Sequence, residues 1–286
     1  EAVSLCWFME NVYYNAIPAI LTKLIEGLGM EVHNWAYPNL YRLGFWPGGD
    51  RDGNPFVNAD TTLQVAGRLR ETLLRAYYRD IRDLKRRLTF KGVEDKISTV
   101  ERKLNSTIFG PFEEGYANSQ ELMDELLAAR EVLTSKHQGL FVELLDGFIL
   151  KLNIFGFFFA SLDVRQDSRK HLKAWEDILK RLERKIPLHN YSYYETWDEE
   201  KQINLIMSLN IPLRDEDYDD PTTKDILGSI RAIKTIQEKN GEQGAHRYII
   251  SNSTSALNVL QVFALARNLN ADENGKLSLD VVPLFE

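Results

Sequence analysis

With 286 residues, 44% of them hydrophobic and 27% charged, the chain is long enough for one large domain or two small ones around a substantial core. Its formal charge of -7 equals the excess of nine acidic over two basic residues between Glu195 and Asp220, so the remainder is near neutral, which argues against nucleic acid as the main partner. A single cysteine, Cys6, excludes a disulfide framework and a cysteine metal site and fits a reducing, cytoplasmic setting, while no apolar run approaches the ~18 residues of a membrane span.

From Ala2 to Met30 apolar residues recur at helical spacing, interrupted by Asn11 and Pro18, which predicts one kinked helix or two. The start, Glu1-Ala2-Val3-Ser4, has no basic region leading into an apolar one and so is not read as a signal peptide. A chain that opens inside a helical pattern and ends on Pro283-Leu284-Phe285-Glu286 reads as a piece of something longer.

A short aromatic segment, Tyr41 to Trp46, then leads into the densest chemistry of the chain: Gly48-Gly49-Asp50-Arg51-Asp52-Gly53-Asn54-Pro55. Glycines let backbone approach a ligand closely, the arginine offers five donors suited to phosphate or carboxylate, and the aspartates can hold that arginine in place. Asp50-x-Asp52-x-Asn54 begins like a calcium loop, but Pro55 stands at the sixth position and Thr61 at the twelfth. No lysine follows the glycines, so it is not a nucleotide phosphate loop either. The bland reading is a tight turn held by an internal salt bridge.

Asp60 is expected to cap a long helix whose apolar stripe runs through Ala66, Leu69, Leu73, Tyr77, Ile81, Leu84 and Leu88. Its opposite face is rich in arginine, but Glu71, Asp80 and Asp83 interleave, so a salt-bridged solvent face is favoured over an anion-binding one. Further helical patterns cover about 93–104, 118–133, where Asn118 and Glu121 form a capping pair, and 138–152.

Gly156 to Val164 switches to consecutive bulky apolar residues and ends on polar Arg165-Gln166-Asp167-Ser168, the pattern of a buried strand with a site at its carboxyl end. Arg165 is the candidate there, against the alternative of a structural ion pair with Asp163 or Asp167. Asp167 or Ser168 caps a helix ended by Ile186-Pro187. The acidic excursion follows, with a short helix near 199–209, and then a helix over 225–239. Arg247 to Asn252 is a third strand with a polar end, 253–269 a helix, and Leu279 to Phe285 a fourth strand after which Glu286 stands. Repetition of strand, polar end and helix predicts a parallel α/β arrangement in which Gly48 to Asn54, Arg165, Ser251-Asn252 and Glu286 meet at one mouth.

Four segments, in order, resemble the phosphoenolpyruvate carboxylase family: Phe45 to Pro55, Leu162-Asp163-Val164-Arg165-Gln166-Asp167-Ser168, Tyr248-Ile249-Ile250-Ser251 and Pro283-Leu284-Phe285-Glu286. The likeness spans residues 1–286, with the acidic excursion least matched. It implies a strongly helix-rich α/β fold, part of a (β/α)8 TIM-type barrel, with a helical excursion at about 91–117 and an acidic one at about 190–222. The resemblance further implies a cytoplasmic homotetramer without membrane or nucleic-acid partners. Such an enzyme adds bicarbonate to phosphoenolpyruvate with Mg2+ or Mn2+, giving oxaloacetate and phosphate through carboxyphosphate and an enolate.

Carried over by position, the likeness makes Arg165 the phosphate-binding arginine and assigns it, with Arg51 and Asp50, to catalysis. Gly48, Gly49, Asp52 and Asn54 become substrate-binding, and Glu286 a metal ligand. None of His33, His137, His171, His189 and His246 sits in the family's Thr-Ala-His-Pro context, and the downstream arginine-rich glycine loop and second metal carboxylate are missing. The chain by itself is therefore expected to be inactive. The readings of other classes are a non-catalytic helical adaptor and a barrel enzyme using phosphoenolpyruvate or pyruvate for different chemistry.

Overall fold

The computed structural model describes residues 1–34, 40–52, 54, 56–185 and 191–285. The chain divides into two units: one holds Glu1–Gly44, Ala66–Ser161 and Lys239–Gly244, the other Phe45–Val65, Leu162–Glu238 and Ala245–Glu286.

The first unit is helical. Helices α1 (Ala2–Phe8) and α2 (Tyr14–Gly27) are joined by a π-helical turn at Met9–Tyr13. Pro18 has no amide to give the Tyr14 carbonyl and its ring crowds that carbonyl, so the widened turn falls just ahead of it. The expected stripe of α3 (Ala59–Arg87) is buried from Ala66 to Leu84 and on to Leu88 beyond the helix end. Its basic face is neutralised as expected: Arg75 pairs with Glu71, Arg79 with Glu10 and Lys85 with Glu101, each at 2.7 Å.

Helices α4 (Glu94–Phe109), α5 (Ser119–His137) and α6 (Val142–Phe155) complete this core through Leu104, Leu126, Leu133 and Leu145. Asn118 caps α5 by accepting from the Glu121 amide at 3.0 Å, and Glu121 returns the bond to the Ala117 amide at 3.2 Å. The strand expected from Gly156 begins only at Ser161. Gly156 and Phe159 take φ of 50° and 66°, which breaks extended structure, and Phe157 and Phe159 are buried.

The second unit holds the strands. Phe45 ends β1 (Gly44–Phe45), Leu162 ends β2 (Ser161–Leu162), and β3 (Val164–Asp167), β4 (Arg247–Ser251) and β5 (Asp280–Pro283) form a parallel sheet in that order. Val164 stands opposite Tyr248, Arg165 opposite Ile249, and Ile249 opposite Val282. On the other side of β3, Asp50 forms a parallel bridge with Arg165. Strand residues alternate between faces, so Val164, Gln166, Tyr248 and Ile250 are buried while Arg165, Arg247 and Ile249 line a half-open face.

Helix α7 (Ser168–Lys185) follows β3, and α10 (Ala256–Asn270) follows β4. The expected end of α7 at Ile186-Pro187 lies outside the described residues. Between them come α8 (Glu199–Ser208) and α9 (Pro221–Asn240). Helix α9 starts earlier than its apolar pattern, because Pro221 is preorganised for the first helical position and Asp220 accepts from the Thr223 amide at 3.0 Å. Likewise α3 is capped by Asn58, which accepts from the Thr61 amide at 2.8 Å, rather than by Asp60. The helix-rich α/β expectation holds, with small parallel sheets. Among the described residues no helix is long and apolar enough to cross a membrane.

Candidate active site

The glycine loop is zipped onto β3 by main-chain hydrogen bonds. The Arg165 amide donates to Gly49 O at 2.9 Å, and the Arg51 amide donates to Arg165 O at 3.0 Å. So close an approach leaves no room for a side chain at position 49: a Cβ there would lie 2.0 Å from the Asp163 carbonyl oxygen. Gly48 turns at a φ of +85°, and a Cβ on it would meet Val65 at 2.5 Å. The adjacent glycines are thus required by packing within the unit, whatever they do for a ligand.

This zipper sets the acids beside the arginine. Arg165 donates from Nη2 to Asp52 Oδ2 at 3.1 Å and lies 4.0 Å from Asp50 Oδ1. Asp50 Oδ1 also accepts from the Asp52 amide at 3.0 Å, which fixes both carboxylates relative to each other. All three side chains are roughly one-third exposed, so a solute anion can compete for the guanidinium. Asn54 faces its own turn, accepting from the Phe56 amide at 3.1 Å.

Other pairs surround this one. Arg247 lies 2.9 Å from Asp163, whose carboxyl is pushed up by burial and pulled back by that guanidinium. Exposed Arg169 holds buried Asp167 below the usual carboxylate range through a direct hydrogen bond. The sequence offers Asp163 and Asp167 as partners for Arg165 and Asp167 also as a helix cap, and the Arg169 amide does donate to Asp167 Oδ1 at 2.8 Å. The period-2 spacing of Asp163 and Arg165 was the available signal for their shared face, whereas Arg247 is separated from Asp163 by 84 positions and gave none.

Arg51 is placed differently from its neighbours. It is 1% exposed, and its Nη2 donates to Thr62 Oγ1 at 2.8 Å while Nε lies 3.7 Å from Asp225 Oδ2 on α9. Thr62 Oγ1 in turn lies 2.7 Å from Gly48 O. Burial raises the Asp225 carboxyl against the opposing influence of Arg51, Lys170 and the Ala59 amide. Behind the sheet, Tyr248 shares hydrogen bonds with His171 at 2.9 Å and Ser229 at 3.4 Å, and burial pushes its hydroxyl up to about 12.

Of the residues expected at one mouth, the structure brings Gly48, Gly49, Asp50 and Asp52 to Arg165. Ser251 is buried on β4 opposite Asp167, and the carbonyl of Asn252 accepts from the Ser168 hydroxyl at 2.6 Å, with Asn252 at a φ of 51° ending the strand. Glu286, Gly53 and Pro55 lie outside the described residues. Among the described residues no group of three or more His, Cys, Asp or Glu side chains is placed to hold a metal ion.

The family model described as phosphoenolpyruvate carboxylase matches residues 1–109 and 87–286, which together cover the chain. The chain is 28% identical to a protein of Gloeobacter violaceus over 342 residues, covering 98% of the chain and 35% of that protein. It is 28% identical to one of Alcanivorax borkumensis over 316 residues, covering 97% and 34%. It is 26% identical to one of Synechocystis sp. over 337 residues, covering 98% and 32%. All three are named phosphoenolpyruvate carboxylase, and the chain spans about a third of their length.

Proposed function

The chain belongs to the phosphoenolpyruvate carboxylase family, and from that premise we propose that it supplies the phosphate-gripping part of an enzyme adding bicarbonate to phosphoenolpyruvate. The products are oxaloacetate and phosphate. The observation that carries the reading is Arg165, presented on β3 with Asp52 at 3.1 Å and Asp50 at 4.0 Å, half-open to solvent.

In this reading the guanidinium grips phosphate oxygens as bicarbonate attacks phosphorus and the bond to the enolate oxygen breaks. Carboxyphosphate and the pyruvate enolate result, and CO2 released from the first is captured by the carbon of the second. Asp50 and Asp52 hold Arg165 ready. The loop's Gly48, Gly49 and Asn54 border the substrate, and Arg51 acts from inside by keeping the loop in place. Mg2+ or Mn2+ comes with the family, and Glu286 would be its carboxylate ligand; the described residues do not complete such a site.

The parallel order of the Asp50 bridge, β3, β4 and β5 supports a partial (β/α)8 barrel, with residues 1–286 in one barrel domain and excursions at about 91–117 and 190–222. A cytoplasmic homotetramer is the assembly this reading adopts from the family.

The 286-residue chain is expected to form no oxaloacetate from phosphoenolpyruvate, bicarbonate and Mg2+ in a coupled dehydrogenase assay. In a polypeptide extending over the relatives' full length, Arg165→Ala should lower turnover by about 10²–10³-fold, the scale for losing one preorganised charge-stabilising donor. Near-normal turnover in that variant would remove the phosphate role.

A further inference from the structure

The glycine loop is turned by the Gly49 and Asp50 amides, which donate to Trp46 O at 2.8 and 3.0 Å. Gly48 sits in the left-handed region and Gly49 carries no side chain to wedge it, yet the residues that follow must hold Asp50 and Asp52 within reach of Arg165. Further fixing contacts come from behind. Arg51 is buried, and its guanidinium is met by Thr62 from α3 and Asp225 from α9. The Asp225 carboxylate therefore faces the loop at its middle, 3.7 Å from Arg51 Nε.

The main chain of Arg51 is the rung that ties the loop to β3, by its amide to Arg165 O. We propose that Asp225 is a positioning residue: acting through Arg51, it clamps the 48–52 segment onto β3 and so sets where Asp50 and Asp52 meet Arg165. Without that carboxylate a buried guanidinium is left uncompensated, and its cheapest escape is outward. Leaving, it pulls the peptide at position 51 away from Arg165 O, and the ladder opens from that rung. The use of the clamp, though not its existence, rests on the reading of Arg165 as the phosphate ligand.

Amide hydrogen exchange on the intact chain tests this directly. In Asp225→Asn, exchange at the Arg51 and Arg165 amides should rise at least about tenfold while β4 amides stay within about twofold, because a local opening leaves the rest of the unit closed. Asp225→Glu should restore most of the protection. Thr62→Val, which removes the other grip on Arg51, should accelerate the same two amides even if Asp225→Asn does not fold. Unchanged protection of Arg51 and Arg165 in the folded variants, or equal acceleration throughout the unit, would overturn the proposal. Adding inorganic phosphate to the unaltered chain separates the two ideas. If it leaves Arg165 exchange unchanged, the phosphate assignment falls while the clamp is judged by the variants alone.

Discussion

His171 offers the sharpest quantitative test of the polar layer behind β3 and β4. It is fully buried on α7, its Nε2 2.9 Å from the Tyr248 hydroxyl, and burial pushes its pKa down from 6.5 to about 3, with the Asp167 main chain and carboxylate opposing. Between those two values the unfolded chain takes up a proton that the folded chain refuses. Stability contributed by the neutral ring is therefore complete above the unfolded pKa and is lost as pH falls below it. Each pH unit inside this window costs about 1.4 kcal/mol, so acidification from about 6.5 to about 5 removes about 2 kcal/mol. His171→Gln keeps a polar partner for Tyr248 and cannot titrate. The variant should be less stable than the parent at neutral pH by about 1 kcal/mol and flatter between pH 6.5 and 5 by about 2 kcal/mol. Urea unfolding followed by tryptophan fluorescence, with buried Trp175 in the same unit as reporter, measures both slopes. Identical pH slopes in the two proteins would refute the reasoning.

Two further substitutions probe the loop and the excursion. Gly49→Ala should destabilise by about 3 kcal/mol or more in urea unfolding, because its Cβ would strike a main-chain oxygen, whereas Gly67→Ala on exposed α3 surface, with nothing within 4 Å, should stabilise by about 1 kcal/mol. Glu176 is raised to about 7 by burial and by its hydrogen bond with Glu195. An acid whose pKa rises on folding weakens the fold as pH climbs through that window, so Glu176→Gln should raise the melting temperature at pH 8 and lose that advantage towards pH 4.5.

How much of this was legible in the sequence depended on the range of the interactions involved. The α3 stripe and the Asn118–Glu121 cap are set by spacings of three and four, so periodicity found them. The strand starting at Ser161 was misjudged because a run of bulky residues carries no period, and the positive φ of Gly156 and Phe159 is a property of packing. Arg165 was readable as a site candidate from the sudden polarity after an apolar run. Its actual partners, Asp50 and Asp52, are more than 110 positions away, and the local alternatives Asp163 and Asp167 pair instead with Arg247 and Arg169.

The Asp-Arg-Asp triplet shows why residue types alone could not assign roles inside the loop. Read as composition, the central arginine is the donor and the aspartates its holders. In the structure the aspartates hold a different arginine, Arg165, and Arg51 turns inward to Thr62 and Asp225. The turn in which the Asp52 amide donates to Asp50 Oδ1 keeps the two carboxylates together, while Arg51 is buried away from them. The parallel bridge of Asp50 with Arg165 places this turn beside β3. A triplet of charges thus serves both sides of one peptide: two carboxylates orient the candidate phosphate ligand, and the cation between them anchors their backbone in the core. Exchanging Arg51 with either neighbour should therefore undo both functions together.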